Sequence, residues 1–189
     1  MRHANTTHVA PICAHGFTLI ELMVAVAVAA ILAAIVVPSF HKLTISNTLA
    51  AVADDVVGAI NLARMEAVKR NANAQFCSDV ASTNTSDTLG AACGTQSGAV
   101  YVWATGNPAT VQVRAATASL QPPVQLHNHI AAVRFNGQGL GYAAGTTGSP
   151  YSGMVADICS AAISRDNHRV VAMATGSIIT TTTTTGACP

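Results

Sequence analysis

Gly16-Phe17-Thr18-Leu19-Ile20-Glu21-Leu22-Met23-Val24-Ala25-Val26-Ala27-Val28-Ala29-Ala30-Ile31-Leu32-Ala33-Ala34-Ile35-Val36-Val37-Pro38-Ser39-Phe40 decides how the rest of this chain is read. From Phe17 to Val37 every residue is apolar except Thr18 and Glu21. A helix of about 21 residues rising about 1.5 Å per residue reaches about 30 Å, the thickness of a hydrocarbon core. The stretch can therefore span a bilayer, but Glu21 sets it apart from an ordinary anchor. A charge inside a membrane segment costs at least about 2.5 kcal/mol and persists where it has a partner.

Cleavage between Gly16 and Phe17 would supply that partner. The new amino terminus is a positive charge at the membrane surface, one helical turn from Glu21. Within one chain, or between neighbours sliding past each other in the bilayer, the two charges neutralise each other and set an axial register. Gly16 followed by Phe17-Thr18-Leu19-Ile20-Glu21 and the apolar run resembles the type III signal of type IV pilins and type II secretion pseudopilins. The resemblance implies that a prepilin peptidase cuts after Gly16 and methylates Phe17, and that Glu21 and Pro38 serve assembly. A secretory signal peptide is the plain alternative, but it is cut after its apolar region at an A-x-A-like site, and none stands near Val37 to Phe40.

Residues 1–16 then read as a leader, 17–38 as the membrane half of a long helix, 39–71 as its amphipathic half and 72–189 as a β-rich domain. His3, His8 and His15 belong to the leader rather than to a metal site, and His15 stands where the family usually has a basic residue before the glycine. Arg2 and Lys42 on opposite sides of the span give little orientation bias. The chain has 189 residues, 50% hydrophobic and 9% charged, room for one modest domain beyond the anchor. A formal net charge of +1 gives no general pull on nucleic acid or acidic membranes.

With Cys13 in the leader, the remaining cysteines are Cys77, Cys93, Cys159 and Cys188. An even number in an exported domain suggests two disulfides, and four cysteines permit three connectivities. The expected pairing is the sequence-local one, Cys77 with Cys93 and Cys159 with Cys188, each closure worth about 3 kcal/mol by loop entropy. Neither a C-x-x-C pair nor a histidine set near a cysteine supports zinc. Disulfides place the domain in the periplasm, with the chain held by a single pass in the inner membrane.

Beyond Pro38, Ile45, Leu49, Val52, Val56, Ile60 and Ala63 recur every three or four residues, one face of an amphipathic helix, while Asp54, Asp55, Asn61, Arg64 and Lys69 lie mostly off it. Pro38 should kink the helix, Gly58 weakens it, and Asn71 to Asn73 ends it beside Lys69 and Arg70, which suit its negative terminus. Asn61-Leu62-Ala63-Arg64-Met65-Glu66-Ala67-Val68-Lys69-Arg70-Asn71 is similar to the helix-end signature of the GspH/FimT family of minor pseudopilins and minor pilins. The likeness extends loosely through Cys77, Val133 to Gly139, Ile158-Cys159, Arg169 to Val171 and Gly176. Arg64 and Glu66 are two residues apart and point to different sides of a helix, so they make no catalytic pair.

Short β-prone runs follow: Ala74 to Cys77, Ala99 to Ala104, Thr110 to Ala115, His129 to Phe135, Ser152 to Ile158 and His168 to Ala174. Ala81 to Gly98 and Gly137 to Ser149 read as loops. A helix followed by strands predicts an α+β, pilin-like fold with an antiparallel sheet on the helix's apolar face. Gly137-x-Gly139-x-Gly141 lacks the last glycine of a dinucleotide fingerprint, and Gly148 to Gly153 is not a nucleophile elbow. His127-x-His129 offers two imidazoles without an evident third ligand. No acid, base or nucleophile set converges, so the reading is a subunit without cofactor or metal rather than an enzyme.

The run Thr180 to Thr185 is a terminal strand or a mobile tail; stiff β-branched side chains favour extended backbone. In DNA-binding FimT-like subunits a G-R-x-R pattern stands here, whereas Ser177 and Ile179 follow Gly176 in this chain. Losing those charges removes the phosphate grip of DNA uptake, leaving Arg165 and Arg169 nearby for weak binding at most. The chain thus reads as a priming or tip subunit of a type IV pilus or a type II secretion pseudopilus. Its partners are the prepilin peptidase, other minor pilins or pseudopilins, and the inner membrane. The paired cysteines and the FimT-like carboxyl half lean toward the pilus.

Overall fold

The computed structural model describes Gly16 and residues 18–104, 109–117 and 120–189, without the side chains of Val37 and Pro38. The chain divides into two units, one ending at Phe40 and the other beginning at His41. The fold is α+β: one long helix, α1 (Leu19–Arg70), precedes all the strands. The helix neither ends nor changes type at Pro38 or Gly58.

Within the second unit, Leu49, Val52, Val56, Ile60 and Ala63 of α1 are fully or almost fully buried. Ala53, Ala59 and Ala67 are buried beside them, and their small side chains let the strands approach the helix closely. The helix ends where Asn71 turns into the left-handed region at φ 48°. Asn71 N–H donates to Val68 O at 3.2 Å and Ala72 N–H to Ala67 O at 3.0 Å, the two bonds of a Schellman motif. Gly137 packs against this stop, where any Cβ would overlap the Asn71 side chain.

Two antiparallel sheets cover the buried face of α1 within the second unit. The first contains β1 (Ala74–Phe76), β2 (Val100–Trp103), β3 (Thr110–Arg114), β5 (Val133–Phe135) and β6 (Gly141–Ala143), in the order β3-β2-β1-β5-β6. The second contains β4 (Gln125–Leu126), β7 (Gly153–Cys159), β8 (His168–Ala174) and β9 (Ile178–Thr184), in the order β4-β7-β8-β9. Phe76, Val102 and Phe135 from the first sheet and Ile158, Val171 and Met173 from the second join the helix face in one core.

Several segments differ from the sequence reading. The region expected as a loop from Ala81 to Gly98 holds a 3-10 turn (Ala81–Asn84) and a short helix, α2 (Thr88–Cys93), begun by Asp87, whose carboxylate accepts the Gly90 N–H at 2.9 Å. The loop expected from Gly137 to Ser149 contains β6, and the strand expected from His129 spans only Val133–Phe135. The threonine run is β9, an edge strand paired along β8 from His168↔Thr184 to Ala174↔Ile178.

The excursion from Cys77 to Cys93 covers the outer face of β1. There Gln75 is buried, donating to Asn84 O at 3.0 Å and accepting from Arg134 Nε at 3.0 Å. Arg134 continues to Asp87 at 2.8 Å. That hydrogen bond, helped by the Gly90 N–H, holds the Asp87 carboxyl at about 2, below the usual 3.8. A lowered folded-state pKa contributes stability that is present above pH 3.8 and is lost as pH falls toward 2. The Asp87 side chain is 47% exposed, so screening cuts the linkage to about 1 kcal/mol. Asp87→Asn, which keeps a capping side chain, should cost about that much at neutral pH in urea unfolding, with the gap closing as the pH approaches 2. A gap independent of pH would assign the loss to the cap rather than the charge.

Candidate functional site

The first unit presents the segment on which function turns. Thr18 stands before the first residue of α1, and its Oγ1 accepts the Glu21 N–H at 3.3 Å while its carbonyl accepts the Leu22 N–H at 3.2 Å. Thr18-Leu19-Ile20-Glu21 has the order of a capping box, so the residues that follow the expected cleavage site also start the helix. Glu21 lies in the first turn, where the helix dipole favours an anion. Phe17, the expected new terminus, lies outside the described residues, as do Cys13, the leader histidines and the Pro38 side chain.

Every described side chain from Thr18 to Phe40 is exposed, including Leu19 at 76% and Ile35 at 68%. The helix is long and apolar enough there to cross a membrane. An apolar surface of this extent is not left to water; lipid or other protein covers it.

In the second unit the structure joins Cys77 to Cys93 with Cα atoms 5.5 Å apart, and Cys159 to Cys188 at 5.8 Å. The first bridge closes the excursion over β1, and the second ties the carboxyl terminus to β7. Arg64 and Glu66 diverge: Arg64 Nη1 donates to Ser177 O at 3.2 Å, while Glu66 pairs with Arg70 at 2.8 Å and Lys69 at 3.5 Å. The Arg70 hydrogen bond leads in lowering the Glu66 carboxyl. The glycines of Gly137 to Gly141 form the turn between β5 and β6, with Asn136 Oδ1 accepting from Gln138 and Leu140 N–H, both at 3.0 Å.

The two imidazoles of His127 and His129 part company. His129 Nδ1 lies 2.7 Å from Asp79 Oδ2, while His127 meets His168 edge to face with ring centroids 5.2 Å apart. The structure thus supplies the histidines near a cysteine that the sequence did not reveal, because His127, His168 and Cys159 bring their ligand atoms within 4.8 Å of one another. Arg169, read from sequence as a remaining DNA contact, is 9% exposed and donates to Asp166 O at 2.8 Å and Ser46 Oγ at 3.0 Å. It is a strut between β8 and the helix, spent on internal contacts.

Residues 13–37 match the family described as the prokaryotic N-terminal methylation motif. Residues 52–182, well over half of the chain, match the family described as type II transport protein GspH. The chain belongs to the GspH family. No curated protein and no solved structure matches it. The match places this GspH-family chain among minor pseudopilins and pilins, whose members are structural subunits. The methylation motif covers Gly16, Phe17 and Glu21 together and implies processing by a prepilin peptidase, and GspH membership implies assembly with other pseudopilins. The helix and motif fit inner-membrane anchoring of a GspH-type globular domain.

Proposed function

We propose that the chain is a structural subunit, not an enzyme, that helps prime or cap a type IV pilus or a type II secretion pseudopilus. It is cut after Gly16, methylated at Phe17 and held in the inner membrane by residues 17–38, with residues 72–189 in the periplasm. The observation that carries this reading is the uncovered apolar helix with Glu21 in its first turn. The freed Phe17 amine neutralises Glu21 on the same chain or a neighbour, and the apolar helix faces then pack subunit on subunit. Pro38 lies at the end of that assembly segment. Oxidation of the four periplasmic cysteines fits the same compartment.

Deleting the gene and scoring protein secretion, twitching and transformation separately tests the proposal. Loss of secretion assigns the pseudopilus, loss of twitching the pilus, and restoration requires the unsubstituted gene. Normal secretion and normal twitching together would overturn the subunit reading. DNA uptake is the lesser alternative: Ser177 and Ile179 replace the arginines of the G-R-x-R pattern, the Ser177 carbonyl is held by Arg64, and Arg169 is buried. A gel shift at low and high salt checks it, and salt-sensitive retardation would restore it.

A further inference from the structure

Where β7 meets β8, Cys159 stands directly across from His168. His168 is 4% exposed, and its Nδ1 lies 2.9 Å from Asp157 Oδ1. An ionised carboxylate only accepts, so in the neutral imidazole the proton sits on Nδ1 and the lone pair on Nε2. That Nε2 is buried and has no hydrogen-bond partner among the described residues. A buried acceptor left unpaired is destabilising, so the site favours a partner for that lone pair. Gly186, two residues before Cys188, lies beside it: a Cβ at Gly186 would come within 3.1 Å of Nε2.

We propose that the dithiol form of this chain holds a divalent cation of zinc type between Cys159, Cys188, His127 and His168. Four ligands of two sulfurs and two nitrogens make the closed tetrahedral set that Zn2+ prefers. Ligands at zinc distances lie about 3.3–3.8 Å from one another in a tetrahedron. The ligand atoms of His127, His168 and Cys159 already lie within 4.8 Å of one another, so shifts of about an ångström bring these three to zinc distances, and Cys188, bridged to Cys159 in the oxidised chain, supplies the fourth ligand once the bridge opens. Asp157 supplies the carboxylate behind a ligating histidine that fixes the tautomer and raises its basicity. Cys188 stays in reach after the bridge opens, because Asn167 holds Gly186 by two hydrogen bonds, 2.9 and 3.0 Å long.

Disulfide and metal are mutually exclusive occupants. A dithiol reductant gives two electrons and two protons to the Cys159–Cys188 bond and leaves as its own disulfide. Both sulfurs become thiols, and each loses its proton to solvent as the metal–sulfur bond forms. Cys188 is half-buried rather than enclosed, which gives the reductant an approach. The inference stands apart from the filament reading, since it rests on the second unit alone.

The test uses the full chain carrying Cys13→Ser in detergent micelles, reduced with a dithiol and freed of it without air, against the same chain left oxidised. Zn2+ uptake is measured by competition with a chromophoric chelator, and Co2+ is the spectroscopic probe. The reduced chain should take up one Zn2+ more per chain than the oxidised one, and its Co2+ form should show thiolate charge transfer with tetrahedral bands. His127→Gln and His168→Gln should each weaken uptake at least about tenfold, and Asp157→Asn about 10- to 100-fold. Cys77→Ser/Cys93→Ser should leave it unchanged. Equal uptake in both redox states, or uptake indifferent to the two histidines, would overturn the proposal. The Co2+ spectrum of the chain without these substitutions reads the ligand set directly, and an octahedral spectrum would also overturn it should a variant fail to fold.

Discussion

Glu21→Ala is expected to leave the chain in the inner membrane and exclude it from the filament. The substitution removes a charge that costs at least about 2.5 kcal/mol in hydrocarbon, so insertion becomes easier rather than harder. Helix initiation keeps its Thr18 cap, because Thr18 Oγ1 accepts the backbone N–H of residue 21 and not its side chain, although the first-turn anion is lost. What disappears, on the proposed pairing, is the partner of the Phe17 amine. Without it, axial register between neighbouring apolar helices has only van der Waals packing to define it, and Leu19 to Phe40 is a near-uniform run of alanine, valine, leucine and isoleucine. Membrane fractionation should recover the variant at unchanged level. Sheared or purified filaments should hold at least about tenfold less of it, the factor that corresponds to a lost interaction of about 1.4 kcal/mol. Unchanged incorporation would contradict the pairing of Glu21 with the new terminus.

Gly16→Val should give the complementary defect, a chain that inserts but is never cut. A Cβ at Gly16 meets nothing within 4 Å among the described residues, so nothing in the described fold requires glycine there. On the proposed processing, the requirement comes from a peptidase seating the backbone on either side of the Gly16–Phe17 bond. A branched side chain next to that bond should block processing while the domain folds and pairs its cysteines as before. Immunoblots should show only the longer form, and unfolding of the domain should be unchanged. Normal processing of this variant would place the cleavage elsewhere.

The two ends of the chain differ in how much their sequence disclosed. From Gly16 to Asn71 the signals are local: the cleavage-site residues are contiguous, and Leu49, Val52, Val56, Ile60 and Ala63 are placed on one face by helical period alone. Even the helix stop at Asn71 is a local event. Strands β2, β7 and β8 also announce themselves by their apolar and β-branched residues. The division into two sheets and the order β3-β2-β1-β5-β6 depend on pairings between distant segments, which periodicity does not encode. α2 is six residues long and contains Gly90, too short for a period, and its capping Asp87 is one polar residue among many. β4 has two residues and exists because Cys159 and Ile158 offer it an edge.

The same contrast holds for the sites. The roles proposed for Gly16 and Glu21 are read from one contiguous stretch at the start of α1. The cluster around His168 is not, since Asp157, Cys159 and His127 reach it from β7 and the segment after β4. Arg169 misleads for the opposite reason: its charge is visible in sequence, whereas its bond to Ser46 on α1 is visible only in the fold.

The most direct measurement is the mass of the amino-terminal peptide of the chain recovered from cell membranes. The account predicts a chain that starts at Phe17 and carries one added methyl group on that amine. A chain that starts at Met1, or at any residue beyond Phe40, would contradict it.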